Sequence, residues 1–219
     1  MHESIILPTL GLHSYTAMMI YIIIGLTAIA VFMSKRFTVV PGKFQSVLEL
    51  VVDLFTGLLD ETVGHKGRAY LPFILTFAIY IVVSNFMGLV PGLHPPTANL
   101  NTTFGLSIIV FMATHYVGVK EHGMKYFKHF MGPVWWLAPL IIPIEIIGHL
   151  ARPASLALRL FGNMMGHEQI DSVLLILMPV AYPLLLLTSV LGIIVFLIQA
   201  FIFSLLSMMY LGGAVEDSH

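Results

Sequence analysis

The sequence predicts an all-α integral membrane protein with five transmembrane helices plus one interfacial amphipathic helix, the last two helices long and strongly tilted. Three observations carry this expectation. The 219 residues are 58% hydrophobic and only 10% charged, with a mean hydropathy of +0.95, whereas a soluble domain carries about 25% charge. The apolar residues fall into runs of spanning length, and the lysines and arginines collect at the ends of those runs. A net charge of −1 and the lack of a glycine-rich phosphate cradle exclude nucleic acid as a natural partner and give no nucleotide site. The ten histidines are dispersed, with no cysteine and no HExxH pair beside them, so neither a metal site nor another cofactor is expected. The opening "MHESIILPTLGLHS" holds an acidic residue and no basic stretch, unlike a cleaved signal peptide.

Residues 1–219 read as a single membrane domain. Thr16 to Met33 is 18 residues without a charge and ends at Lys35 and Arg36, just long enough for a hydrocarbon core that takes about 20. Leu71 to Val90 follows Lys66 and Arg68, and Thr103 to Val119 precedes Lys120, Lys125 and Lys128. Basic clusters mark cytoplasmic ends. The intervening "PGLHPPTANLNTT" has no lysine or arginine, so it belongs outside, with the N-terminus outside and the C-terminal "EDSH" cytoplasmic. Eight of the ten basic residues then face the cytoplasm, and Arg152 and Arg159 are the exceptions.

Residues 43–63, within "KFQSVLELVVDLFTGLLDETVG", are too charged to cross. Glu49, Asp53, Thr56 and Asp60 recur at helical spacing opposite Val51, Leu54, Phe55, Leu58 and Leu59, the pattern of a helix lying in the interface. Its polar face is acidic where lipid-binding helices are basic, so a protein neighbour suits it better than anionic headgroups.

The last two helices are expected over 143–178 and 183–211. At about 1.5 Å per residue they measure roughly 54 and 43 Å, against a core roughly 30 Å thick. Straight helices of that length fit only if tilted by roughly 55° and 45°, well past the usual about 20°. Pro143 suits the first helical turn and Pro153 is a possible kink. The first of these helices carries a polar stripe. At about 100° per residue, Glu145, His149, Arg152, Arg159, Asn163 and His167 fall within about 40° of one line. Asp171 and Glu168 swing off toward a neighbouring helix, where Gln199 is the natural polar partner. Such a stripe in lipid must face protein or water. It can be an internally neutralised packing cluster, Glu145 with Arg152 and Glu168 with a neighbour. Arg159 argues otherwise, because Ser155 and Asn163 stand where a helical-turn counter-charge would be. Arginine stays protonated when desolvated, so Arg159 is a fixed cation able to keep a mobile carboxylate ionised. That is chemistry for moving protons or cations, with Glu145 toward the cytoplasmic end and Glu168 toward the outer end.

"SLALRLFGNM" followed by "GHE", together with "QAFIFSLLSMMYL", "PGKFQSVLELVVD" and "NLNTTFGLS", closely resembles the a-subunit family of the F-type ATP synthase membrane sector, bacterial type. The arginine-to-glutamate motif is specific, and the similarity extends over most of the chain. The resemblance implies a stator subunit in the bacterial plasma (inner) membrane, itself without a catalytic site. Its expected partners are the rotating c-subunit ring, the b subunit of the peripheral stalk, other ATP synthase subunits and the lipid bilayer. It implies two offset half-channels for translocated H⁺, with Na⁺ left open because ion choice lies largely in the ring. Arg159 matches the family's essential arginine. Glu168 and Gln199 match its outer half-channel residues, with Asn163 beside them, and Glu145 matches a carboxylate on the exit side. Around these, His149, Arg152, Ser155 and Asp171 are further candidates. In some relatives a glycine stands at the position of His167 and a histidine at that of Gly192, so this chain has the two exchanged. The alternative is a stand-alone proton or cation channel or a secondary transporter, but the inverted repeats common in transporters are not visible here.

Overall fold

The computed structural model describes residues 13–90, 93–123, 126, 138–176 and 182–215. Six α-helices make up its bulk: α1 Ser14–Ser34, α2 Lys43–Thr62, α3 Leu71–Met87, α4 Leu100–His122, α5 Ala138–Ile176 and α6 Tyr182–Val215. Short 3-10 turns at His65–Tyr70 and Pro96–Ala98 lead into α3 and α4. Among the described residues, five segments are long and apolar enough to cross a membrane, and α2 is not one of them. The expected topology elements at Lys125, Lys128, the 178–181 turn and the terminal "EDSH" lie outside the described residues.

Expected and observed boundaries differ most in α5. It begins at Ala138, five residues before Pro143, and runs as continuous helix through both Pro143 and Pro153. Pro143 is therefore an interior residue and not the first helical one. A proline removes one N–H donor, and in a membrane bundle neighbouring groups tolerate that loss, while the apolar stretch from Ala138 to Ile142 continues the helical register. At about 1.5 Å per residue, α5 and α6 measure about 58 and 51 Å, longer than expected.

Three apolar layers hold the bundle. Ala98, Met164 and Phe196 form the one beside the segment between α3 and α4. In the middle, Ile22, Phe77, Ile81, Val110, Leu156, Leu160 and Phe203 join α1, α3, α4, α5 and α6. At the opposite end of the bundle, Phe55 and Leu59 of α2 insert among Ile74, Val117, Met208 and Leu211. Lipid tails are as apolar as leucine, so close packing drives association here more than escape from water. Buried Thr103, Ser107 and Thr114 on α4 spend their hydroxyls on their own helix, as in Thr114 to the Val110 carbonyl at 2.9 Å.

The end of α2 is fixed by charge as well as packing. Arg68 donates through Nε and Nη2 to the two oxygens of Asp60 at 2.8 and 2.6 Å. This hydrogen-bonded guanidinium holds the Asp60 carboxyl below its usual range, so the link persists at neutral pH and is lost on acidification. Glu49 and Asp53 remain exposed on the acidic face. Where α6 crosses the end of α2, Gly212 lets the backbones touch, for a Cβ there would stand 2.6 Å from the Thr62 carbonyl oxygen. Gly212→Ala is expected to destabilise the fold by about 1–3 kcal/mol, the usual range for overpacking. Heat-induced aggregation of the detergent-solubilised protein should begin at lower temperature. Gly213→Ala, with nothing within 4 Å of its added methyl, should leave it unchanged.

Candidate functional site

The polar stripe of α5 divides into three parts. At the end of the stripe nearer the start of α5, Glu145 pairs with His149 one turn on, Oε1 to Nε2 at 3.2 Å. The His149 ring meets that of His115 on α4 edge to face, centroids 5.5 Å apart. Arg152 lies over the Tyr210 ring of α6 at 5.6 Å, so Glu145 answers to a histidine and not to Arg152. Ser107, Thr114, His115, His149, Arg152 and Tyr210 surround a small cavity of about 10 Å³.

At the other end of the stripe the side chains also turn into the protein. His167 Nδ1 lies 3.1 Å from Asp171 Oδ2, and its Nε2 lies 3.3 Å from the Thr188 carbonyl of α6. Both ring nitrogens therefore face oxygens. The Thr188 hydroxyl donates to the other Asp171 oxygen at 3.2 Å. Asp171 thus reaches the neighbouring helix as expected. Glu168 does not: it pairs with His94, from the segment between α3 and α4, at 2.8 Å. Gln199 instead accepts from Asn163 Nδ2 at 2.8 Å. The reason is reach, since Asn163 and Gln199 face each other across α5 and α6 while Glu168 lies more than a turn further on and points at the outer loop. His94, His167, Glu168, Asp171 and Ser189 line a cavity of about 90 Å³.

The middle is bare. Ser155, Arg159, Gly162 and Asn163 are exposed, and the buried side of the same turns is Leu156, Leu160 and Met164. Among the described residues no carboxylate or other side chain pairs with Arg159. Gly148, Gly162 and Gly166 would each have nothing within 4 Å of an added methyl, so this face presents a shallow apolar surface with one guanidinium on it.

Comparison with known proteins decides the family. The family described as "ATP synthase A chain" matches residues 14–212. The chain belongs to the ATP synthase A chain family. Relatives include "ATP synthase subunit a 1" of Syntrophotalea carbinolica, 54% identical over 198 residues, 90% of this chain and 84% of that one. "ATP synthase subunit a" of Trichlorobacter lovleyi is 49% identical over 205 residues, 94% of this chain and 87% of that one. The Geobacter sulfurreducens protein of the same name is 48% identical over 198 residues, covering 90% and 86%. A member of the ATP synthase A chain family is the proton-channel stator subunit of the complex and is not itself catalytic.

Sequence reasoning located the stripe and missed its partners. His94, His115, Tyr210 and Thr188 come from other segments, and the His94–Glu168 pair spans 74 residues, which no helical period encodes. The one available signal lay on α4, whose Thr103, Ser107 and Thr114 repeat along a single buried face toward α5. The structure does settle one geometric question. A Cβ at Gly192 would collide with the imidazole of His167, with Cδ2 at 3.0 Å, so the two exchanged positions share one space. His167→Gly is therefore expected to impair ATP-driven acidification of inverted vesicles, and adding Gly192→His should restore part of it by refilling that space from α6. A double variant no more active than the single one would show that the ring must sit on α5.

Proposed function

We propose that the two ends of the α5 stripe line two offset aqueous half-channels, and that a c-subunit ring rolls against the bare middle. The observation that carries this reading is the unanswered guanidinium. An arginine facing hydrocarbon costs at least roughly 2.5–3.5 kcal/mol, and Arg159 is exposed without a partner among the described residues while the polar groups at both ends of its helix are paired inside the chain. Ring carboxylates passing that face would supply the missing counter-charge in turn.

In this reading a proton enters from outside through His167, Glu168, Asn163 and Gln199 and protonates a ring carboxylate. That site, now neutral, can rotate into lipid. On return it meets Arg159, whose charge favours the ionised carboxylate, and the proton leaves past Glu145 and His149 to the cytoplasm. Each charge driven through 100 mV delivers about 2.3 kcal/mol. Ions reach the other side only by turning the ring, so transport is coupled to rotation and to ATP synthesis elsewhere in the complex. The inner membrane is the setting, with the N-terminus outside and the C-terminus cytoplasmic, as the charge bias of the loops requires. The exposed acids Glu49 and Asp53 of α2 suit a stalk b subunit bearing basic groups.

Arg159→Ala should abolish ATP-driven pumping and proton-driven synthesis while the complex still assembles. Arg159→Lys should fail to couple as well, because an ammonium loses its proton more readily on burial and lacks the planar fork that can hold a carboxylate. Dye-monitored acidification of inverted vesicles, with assembly followed by blot, measures both. Normal acidification by the assembled alanine variant would remove Arg159 from the mechanism.

A further inference from the structure

The outer cavity holds a titratable group that the path from Glu168 to the ring does not use. His94 Nδ1 lies 2.8 Å from Glu168 Oε1, with side-chain exposures of 20% and 24%. Tyr15 of α1 flanks the imidazole, ring centroids 5.6 Å apart. The other titratable side chains on this cavity, His167 and Asp171, are paired with each other at 3.1 Å. Glu168 Oε2 is buried and accepts no hydrogen bond among the described residues. His94 is thus the group placed to exchange a proton with this carboxylate, and it sits on the segment that the loop charges put outside.

We propose that His94 is the outer proton relay of this subunit, loading Glu168 from the external water and unloading it when the machine runs in reverse. The proposal rests on the half-channel reading. In the loading direction, external water gives a proton to Nε2 of the neutral ring, forming the imidazolium. The Nδ1 proton then passes along the 2.8 Å contact to Oε1, leaving a carboxylic acid and a neutral ring protonated on Nε2. Release of that proton to water with uptake at Nδ1, or a flip of the ring, restores the start. One proton moves from water to Glu168, and no redox partner is involved.

Magnitudes favour a relay over direct protonation. At pH 7, even at a diffusion ceiling of about 10¹⁰ M⁻¹ s⁻¹, hydronium meets one carboxylate only about 10³ times per second, and tenfold less often per pH unit. An imidazole can also accept protons from buffer acids, a supply that hydronium scarcity does not limit. A relay therefore flattens the pH dependence of loading.

The test uses the whole synthase in proteoliposomes, making ATP under a potassium diffusion potential at equal pH on both sides, so that added imidazole is only a buffer. His94→Asn keeps an amide donor near the position of Nδ1 but cannot relay. It should synthesise ATP near the wild-type rate at pH 6 and fall at least roughly tenfold below it at pH 8, within the range of a lost proton-transfer group. His94→Gly should fall likewise, and free imidazole should restore it. Wild-type pH profiles in both variants would overturn the relay. So would an equal loss at every pH without imidazole rescue in an assembled complex, which would mark His94 as a structural anchor. Glu168→Gln in the same vesicles separates the two levels: if it retains full synthesis, the half-channel reading falls and the relay with it, whereas its inactivity beside unaffected His94 variants condemns the relay alone.

Discussion

A guanidinium inside a bilayer has to be met by water, by an acceptor or by an opposite charge, because it does not neutralise itself by losing a proton. Among the described residues this chain meets that requirement toward one end of α5, where Arg152 lies over Tyr210, and leaves it open at the centre, at Arg159. Arg152 lies against Tyr210 and near the His149–Glu145 pair, whereas Arg159 stands on an exposed face lined by glycines. Among the described residues Arg159 has no counter-charge, and the proposed ring would supply one by bringing carboxylates to this face. In that reading, function follows from where the unmet charge is placed.

Spacing along α5 supplies the rest. Glu145 and Glu168 are about 34 Å apart along a straight helix, roughly one hydrocarbon thickness, and Arg159 stands about 21 Å from the first and about 14 Å from the second. Neither carboxylate can bridge to the arginine directly. The polar ends are instead plugged into other segments: Glu145 and His149 beside His115 of α4, Glu168 onto His94, His167 and Asp171 onto α6. Between them the helix packs through Leu156, Leu160 and Met164, all buried, so an apolar stretch separates the two polar ends within the chain. A continuous helix through Pro143 and Pro153 is what lets one element carry both ends in fixed register.

How much of this the sequence displays depends on whether a feature is periodic. Five spans, the amphipathic α2 and the stripe from Glu145 to His167 are written in hydropathy and helical spacing, and they were legible within a few residues. The first turn of α5 was not, because a proline that suits a helix start is equally tolerated inside a membrane helix when its neighbours compensate. Pairings between segments were the least legible. Gln199 looked like the partner of Glu168 because both are polar and near the outer end, yet side-chain reach gives Gln199 to Asn163 and Glu168 to a loop histidine. The nearness of His167 and Gly192 was visible only as an exchange of residue types and became a contact once α5 and α6 were set side by side.

The central claim is that the two polar ends open to opposite faces of the membrane and do not communicate through this chain. Single cysteines test it most directly, since the chain has none of its own. Ser189 lines the cavity beside Glu168 and Thr114 the one beside Arg152. In an assembled synthase whose other subunits lack accessible thiols, silver ion added from outside should inhibit Ser189→Cys and spare Thr114→Cys, and silver added from the cytoplasmic face should do the reverse. Inhibition of either variant from both faces would mean a continuous pore and would contradict the account.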